Sequence, residues 1–374
     1  MLLLTVYKRE ISPAACYSCA QTCKGVPTVS GFNETIAHQL PKVELHCHLD
    51  GSISIPTIRE IADMQHIPIP ATDAELAEKV IAPANVQSLG EYLERFDFIG
   101  PLLQVPEALT LAAFDVAAQA ARENVRYLEV RFAPTLSTDK SMTEADTIIA
   151  VAKGLERAKT ELGITTRILV CGMRQQPIDR AIAAFTAANS LRDRGVVGVD
   201  FAGDEAHFPP RTMQPAVDYA AAHQIPLTFH AGECGCVENV VEAIKLGAKR
   251  IGHGTAIHGH ADALALAHAQ NTLFEICLTS NLQTKAAVDI THFHYRDLVA
   301  ANVPFNISTD NRTVSHTNLT REYMLFHQEF GLEAADFQRS NLISMAHAFA
   351  DQATIDAVTK ELKADYAQLA LPAR

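Results

Sequence analysis

The sequence lacks both a long hydrophobic run and an excess of positive charge. It contains no stretch of 18 or more consecutive apolar residues, so no membrane-spanning helix is expected. Its 31 lysines and arginines are outnumbered by 43 aspartates and glutamates, which gives a net charge of −12. Because binding to phosphates needs clustered cations, nucleic acid and anionic membranes are not expected as partners. These features do not specify an oligomeric state.

A secretory leader and a disulfide framework are also lacking. The apolar opening, residues 2–4, is too short for the core of a signal peptide, so a cytoplasmic location is expected. Eight cysteines are scattered over 374 residues, which is not the pattern of a disulfide-stapled domain. Three of them, Cys16, Cys19 and Cys23, form a CxxCxxxC cluster with no obvious fourth metal ligand. We interpret residues 1–39 as a poorly ordered N-terminal extension, with a metal or redox role for the cluster as the alternative.

What the sequence does contain is a repeated unit. With 48% hydrophobic residues it can bury a large core, and from about residue 40 apolar runs of strand length alternate with helical stretches rich in alanine and leucine. Eight such runs occur, at 43–49, 125–132, 166–173, 196–201, 226–230, 250–253, 273–278 and 304–308. Eight βα units predict a single (β/α)8 barrel over residues 40–374, with a doubly wound open sheet as the alternative.

Polar residues at the C-terminal ends of these runs favour the barrel. In a barrel the carboxyl ends of all strands meet at one mouth, where active sites are built, whereas an open sheet would leave several of these residues apart. The residues concerned are His46 and His48 on the first run, His230 and Glu233 at the fifth, His253 at the sixth, and Asp310 and Asn311 at the eighth.

The histidine pair on the first run suggests a metal site. Side chains alternate along a strand, so His46 and His48 share one face and Cys47 points to the other. Imidazole nitrogens and carboxylate oxygens suit zinc, and catalytic zinc sites keep a position for water. His230 and Asp310 complete such a set at the barrel mouth. Taken singly, a core histidine and a helix-capping aspartate are the alternative interpretations.

A zinc-activated water also needs a hydrogen-bonding partner and an acid for the leaving group. His253 and Glu233 lie at the same rim and are the candidates for these two roles. Six polar groups at the same end of four strands are hard to explain as coincidence. The set therefore predicts metal-dependent hydrolysis.

Five motifs together resemble the signature set of the adenosine deaminase family, within the zinc amidohydrolase superfamily. They are HCHLDG at 46–51, GDE at 203–205, FHAGE at 229–233, RIGHGT at 250–255 and STDN at 308–311. The resemblance covers residues 40 to about 350. It implies one zinc per chain, because the lysine that bridges two metals in other superfamily members is absent from the end of the fourth run, where Phe201, Ala202 and Gly203 stand.

The resemblance implies a role for each motif residue in the deamination of adenosine to inosine and ammonia, and of 2′-deoxyadenosine to the corresponding deoxynucleoside. His253 would orient and help deprotonate a zinc-bound water that attacks purine C6, and Glu233 would protonate N1. Gly203 would offer its N–H to N3, and Asp50 would accept a hydrogen bond from the ribose 5′-hydroxyl. The zinc ligands would be His46, His48, His230 and Asp310.

The connection between the first two runs, residues 51–124, is too long for a simple βα loop. Within it, four residues recur at helical spacing on one face: Leu89, Tyr92, Leu93 and Phe96. Such a stripe ordinarily packs on the barrel. The resemblance implies that this helical insertion also covers the mouth and walls the nucleoside pocket, together with Met173.

Asn311 departs from the commoner family pattern, in which a second aspartate follows the metal ligand. Purine N7 only accepts hydrogen bonds, and an asparagine amide carries two N–H donors at every pH. We therefore expect Asn311 to bind N7. The alternative is that it only caps the following helix or bonds a neighbouring loop.

Two other functions compete with adenosine deamination. One is deamination of another aminopurine on the same scaffold: AMP, adenine, a modified adenine or 6-amino-6-deoxyfutalosine. No basic cluster near the motifs suggests a 5′-phosphate pocket, although Arg131, Arg174 and Arg312 have no assigned role. The other is a non-catalytic barrel, which would be expected to have lost Glu233 or His253.

Overall fold

Eight parallel strands form the centre of the protein in a computed structural model that describes residues 31–83, 86 and 88–369. The predicted runs agree with them to within a residue or two. The strands are β1 Lys42–His48, β2 Val125–Phe132, β3 Thr165–Met173, β4 Val196–Ala202, β5 Thr228–Ala231, β6 Arg250–His253, β7 Leu273–Ile276 and β8 Phe305–Ile307.

The strands close into a barrel. Neighbours pair in the order β1-β2-β3-β4 and β5-β6-β7-β8, all in parallel. Bridges between Val199 and Leu227 and between Cys47 and Asp310 join the two groups on both sides. The predicted (β/α)8 fold is confirmed, and the open sheet is excluded because both outer strands are paired.

Helices surround the barrel and fill the long first connection. In the described ranges they are α1 Glu34–Gln39, α2 Ile55–Gln65, α3 Asp73–Val80, α4 Leu89–Leu93, α5 Phe96–Ile99, α6 Pro106–Arg122, α7 Glu144–Leu162, α8 Ile178–Ser190, α9 Gln214–Ala222, α10 Val237–Lys245, α11 Ala261–Ala269, α12 Leu278–Gln283, α13 Tyr295–Ala300, α14 Leu319–Phe330, α15 Ala334–Ala346 and α16 Gln352–Gln368. None of these described helices has both the length and the apolar composition needed to span a bilayer.

Helix α7 shows how local sequence sets these elements. It begins at a capping box in which Thr143 and Asp146 satisfy each other's backbone N–H groups. It ends at Gly163, whose φ of 74° is the left-handed conformation that glycine adopts without steric cost. Between these ends, small and apolar residues at helical spacing face the barrel: Ile148, Val151, Leu155 and Ala158.

Helix α1 lies within residues 1–39, which we interpreted from the sequence as a poorly ordered N-terminal extension. Phe32 precedes it and is buried, with its ring 5.3 Å from that of Phe337 and 4.7 Å from that of His327. Residues 32–39 therefore pack with the barrel, and the boundary lies nearer residue 32 than residue 40. Cys16, Cys19 and Cys23 lie outside the described residues, so the assignment of the remaining extension stays a prediction.

The helical stripe of the insertion runs through two short helices instead of one. Between α4 and α5, Glu94 and Arg95 keep right-handed helical angles, but the Arg95 and Asp97 N–H groups bond to carbonyls three residues back. This tighter turn breaks the regular α-helical pattern while the chain keeps its direction. The apolar face predicted from the spacing is thus retained.

Candidate active site

A cavity of about 520 Å³ opens at the C-terminal ends of the strands, a size typical of small-molecule sites. The fold brings together at this cavity every residue predicted for the site except His46, which is fully buried beneath it. The predicted residues that line it are His48, Asp50, Leu89, Tyr92, Leu93, Phe96, Met173, Gly203, His230, Glu233, His253, Asp310 and Asn311.

The four predicted ligands form a metal-binding group. Their ligand atoms all lie within 4.8 Å of one another. Nε2 of His48 is 3.1 Å from Nε2 of His230, and Oδ1 of Asp310 is 3.2 Å from Nε2 of His46. Despite this short distance, His46 Nε2 is buried and makes no well-aligned hydrogen bond among the described residues. Convergent nitrogen and carboxylate lone pairs of this kind are what a bound cation stabilises.

Two buried carboxylates orient the histidines. Glu275 lies 2.9 Å from Nδ1 of His46, and Asp200 lies 3.0 Å from Nδ1 of His230. A carboxylate that accepts the Nδ1 hydrogen fixes the tautomer in which the Nε2 lone pair faces the metal. The sequence analysis missed both residues, although an isolated carboxylate inside an apolar strand is a usable signal.

Arg131, which had no assigned role, links these carboxylates below the metal-binding group. Its guanidinium lies 2.8 Å from Asp200 and 2.6 Å from Glu275, and all three side chains are fully buried. Burial alone would raise the pKa of Glu275, but Arg131 and Arg250 hold it well below its usual value. The carboxylates therefore stay ionised and remain acceptors for the histidine N–H groups.

Cys47 takes no part in this group. Its side chain is buried on the opposite face of β1, with Sγ 3.5 Å from Oγ of Ser52. Burial raises the pKa of the Cys47 thiol to about 12, so it remains a protonated, apolar-like side chain. This is the position expected from the alternation of side chains along the strand.

The backbone is strained at two of the site residues. His253 and Asp310 adopt φ angles of 64° and 66°, in the left-handed region that costs a residue with a side chain about 1–2 kcal/mol. Such conformations persist where the surrounding structure holds them, and they cluster at functional sites. At Asp310, Ser280 contributes by donating a 2.6 Å hydrogen bond to Oδ2.

Glu233 lies in the cavity with its carboxyl group nearly buried. Burial raises its pKa well above the usual glutamate value, and the nearby Asp310 and Glu205 carboxylates add to the effect. Its loop is anchored because the Glu205 carboxylate accepts the N–H groups of Gly232, Glu233 and Cys234 at 2.5, 2.8 and 3.2 Å. Glu233 therefore enters the cavity on an anchored backbone, in surroundings that favour the protonated form of its carboxyl group.

His253 lies between Glu233 and the metal-binding group. Its Nε2 is 3.5 Å from Oε2 of Glu233, and its Nδ1 is 2.9 Å from the amide nitrogen of Asn281. Burial lowers the pKa of His253 well below the usual value, and the neighbouring His46 acts in the same direction. A neutral imidazole at this position can hydrogen-bond a water held by the metal-binding group.

Comparison with known proteins identifies the family. The family model described as adenosine deaminase matches residues 41–365. An adenosine deaminase of Streptococcus mutans is 46% identical over 331 residues, which cover 88% of this chain and 95% of that protein. An adenosine deaminase of Streptococcus thermophilus is 49% identical over 313 residues, or 84% and 93% of the two chains. The chain belongs to the adenosine deaminase family.

Solved structures related to the family share the fold. An N6-methyl-AMP deaminase from Arabidopsis thaliana has a TM-score of 0.78 at 27% identity, covering 89% of this chain and 98% of that one. An amidohydrolase from Burkholderia ambifaria with bound Zn has a TM-score of 0.82 at 26% identity, covering 90% and 93%. The resemblance and the fold expected from the motifs are confirmed, and a metal cofactor is supported.

Two positions assigned to substrate contact show why their residue types are needed in this family member. Gly203 has a φ of 99°, and a Cβ there would overlap the side chain of Gln175, so only glycine fits. Asp50 is half-buried at the cavity wall, and the loss of solvent around its carboxyl group raises its pKa to about 6. Both residues leave polar groups at the cavity, where a nucleoside would be bound.

The other two arginines left unassigned by the sequence do not line the cavity either. Arg174 donates to the His230 carbonyl and lies over the Phe229 ring at 4.7 Å, whereas Arg312 pairs with Glu44 and Glu123. In the described part of the chain, no lysine or arginine lines the cavity, although five carboxylates do: Asp50, Asp97, Glu233, Asp139 and Asp310. Among the described residues, the cavity therefore offers no lysine or arginine to a phosphate.

Proposed function

We propose that this protein hydrolyses adenosine to inosine and 2′-deoxyadenosine to 2′-deoxyinosine, with release of ammonia and with one zinc ion per chain. The observation that carries the proposal is the position of Glu233, a nearly buried carboxyl group with a raised pKa in the same cavity as the metal-binding group of an adenosine deaminase family member. The free thiols of the described cysteines support the cytoplasmic location expected from the sequence.

Zinc fits the donor set. Three imidazoles and one carboxylate are borderline ligands that suit zinc, and calcium or magnesium would prefer sites made of oxygen. His46, His48, His230 and Asp310 would hold the ion. When bound, zinc would supply a water whose pKa is lowered toward about 7.

The remaining steps belong to side chains of this protein. Glu233 would give its proton to purine N1, and this protonation makes C6 more electrophilic. The carboxylate left behind would lie beside the positive charge on N1. His253 would hydrogen-bond the attacking water and aim it at C6. Asp50 would accept from the 5′-hydroxyl and Gly203 would donate its N–H to N3. The apolar face of the insertion would exclude bulk water from the reacting centre.

The lack of lysine and arginine among the described lining residues favours a nucleoside over a nucleotide. A 5′-phosphate carries about two negative charges and would lie near the carboxylate proposed to bind the 5′-hydroxyl, Asp50, with no lysine or arginine among the described lining residues to compensate. AMP is therefore a poor fit. Ammonia release from adenosine, AMP, adenine and 6-amino-6-deoxyfutalosine by the purified protein tests this directly. Preference for any of the last three would contradict the proposed substrate.

Replacing Asn311 with alanine is expected to lower kcat/KM for adenosine about 5- to 150-fold. Loss of its amide would leave purine N7 buried without a donor, which costs about 1–3 kcal/mol of transition-state binding. Wild type should discriminate against 7-deazaadenosine, which carries C–H in place of N7, and Asn311→Ala should lose most of that discrimination. Equal discrimination in both proteins would assign N7 to another residue.

We also propose that residues 1–30 are dispensable. The eight strands that close the barrel, the four metal ligands and the cavity residues all lie between residues 42 and 311. A chain beginning at Gly31 should keep its metal and change kcat/KM by less than about twofold. Loss of metal or of solubility on truncation would instead indicate a role for Cys16, Cys19 and Cys23.

A further inference from the structure

Asn281 is a fully buried asparagine on α12 that the proposed mechanism does not use. Its amide nitrogen lies 2.9 Å from Nδ1 of His253, within hydrogen-bond distance. The residue does not line the cavity, so it is not in a position to bind a nucleoside itself. Its effect on the reaction must therefore be exerted through His253, and the alternative is that it only satisfies a buried imidazole nitrogen.

Asn281 is itself held in place. Its backbone N–H and carbonyl are both hydrogen-bonded within the segment 277–287, each at 2.9 Å. The preceding residue, Ser280, donates to Oδ2 of Asp310. Two consecutive residues of α12 thus each contact one of the two site residues that have a left-handed backbone, Asp310 and His253. An amide anchored in this way can fix the side chain that it contacts.

The contact with Asn281 distinguishes the two ways in which the His253 ring can lie. The terminal torsion of a histidine is roughly two-fold, so a ring turned by about 180° fills the same space. In that position Cδ2 would face the amide, and Cε1 would replace Nε2 at the cavity. Only the observed position places a nitrogen at both ends, with Nδ1 at Asn281 and Nε2 3.5 Å from Oε2 of Glu233. Either end of an amide can bond Nδ1, because its N–H donates and its oxygen accepts, so this distinction does not depend on the orientation of the amide.

We propose that Asn281 is a positioning residue that holds the His253 ring with Nε2 toward the cavity, an inference that rests on the proposed function. A ring in the other position would present a C–H group to the attacking water, and a C–H group is only a weak donor. Among the described residues, the ring has no other polar contact shorter than 3.5 Å. The amide therefore supplies the one short polar contact that favours the productive ring position.

The test is Asn281→Leu, which removes the amide and keeps a side chain of similar size. The kcat for adenosine should fall about 2- to 12-fold, the contribution of one hydrogen bond, because fewer rings present Nε2 to the water. KM should stay at its wild-type value, since the residue does not contact the substrate. Metal content should also be unchanged, because all four ligands remain. A wild-type kcat in this variant would overturn the positioning role.

A double-mutant cycle separates positioning from a structural effect. In a His253→Ala background the ring is absent, so adding Asn281→Leu should lower kcat no further. If the leucine acts by disturbing α12 or Ser280, kcat would fall by the same factor in both backgrounds. Gln283→Leu is the matched control, because it removes an amide on the same helix that donates at 3.2 Å to the Ser315 carbonyl, and it should keep the wild-type kcat.

NMR of the imidazole nitrogens provides a readout that does not depend on activity. The Nδ1 signal of His253, identified by its loss in His253→Ala, should shift in Asn281→Leu because its hydrogen-bond partner is removed. The same signal should keep its position in Gln283→Leu. An unchanged Nδ1 signal in Asn281→Leu would contradict the contact itself. If that variant is insoluble, Asn281→Ala removes the same amide without adding bulk, and the same results are expected of it.

The proposed function and the positioning role fail in different ways. A wild-type protein that releases no ammonia from adenosine overturns the proposed function, and the NMR comparison then still tests the contact between Asn281 and His253. A wild-type protein that deaminates adenosine, but whose Asn281→Leu variant keeps the full kcat, overturns the positioning role alone.

Discussion

Replacing Glu233 with glutamine is expected to cut turnover of adenosine by about 10²- to 10⁴-fold, the range for a lost general acid. Glutamine matches glutamate in size and retains the anchored backbone, but it cannot transfer a proton to N1. Since Glu233 is not a metal ligand, metal content and thermal stability should stay at wild-type values. Steady-state kinetics and elemental analysis of the same preparation measure both quantities.

The pH profile provides a second readout of the same variant. Wild-type turnover should fall as the pH rises through the elevated pKa of Glu233, because the deprotonated carboxylate has no proton to give. The residual activity of Glu233→Gln should lack that decline. Glu238→Gln, the same change at an exposed position five residues further along, serves as the control with unchanged activity. Near-normal turnover in Glu233→Gln would mean that another group supplies the proton.

The parts of the site that the sequence predicts are those with a local signature. The strands can be recognised by their β-branched composition. The polar residues at their C-terminal ends can then be assigned to the site, because active sites of (β/α)8 barrels are built at those ends. His46 and His48 share a face because strand alternation requires it. Once the eight strands are recognised, His230, His253 and Asp310 can be assigned to the site. They lie at the C-terminal ends of strands, and these ends meet at one mouth of the barrel.

The parts that the sequence does not predict depend on long-range partners. Asp200 and Glu275 lie within strands β4 and β7, and each is stabilised by Arg131 on β2. No local spacing encodes these contacts, which exist only after the barrel has closed. The division of the insertion into α4 and α5, and the packing of Phe32 against α15, have the same origin in tertiary contacts.

Replacing His230 with alanine is expected to remove the metal and the activity together. The change takes one of four ligands and leaves the buried Asp200 carboxylate without its imidazole partner. Metal content should fall from one ion per chain to a small fraction, and turnover should drop by more than about 10³-fold, since water activation is lost with the ion. Elemental analysis after gentle purification identifies the metal and counts it.

Two matched variants grade the effect. Asp200→Asn keeps all four ligands but replaces the carboxylate that orients His230 with a neutral amide. Metal affinity should therefore fall about 10- to 100-fold without being lost completely. Cys47→Ser, between two ligands in sequence but on the other face of β1, should keep full metal content, since Ser52 can hydrogen-bond the new hydroxyl. Metal loss in Cys47→Ser would contradict the strand-face assignment, and full occupancy in His230→Ala would remove His230 from the ligand set.

Two ions per wild-type chain would contradict the single-metal site, because the described structure offers one cluster of four converging ligands.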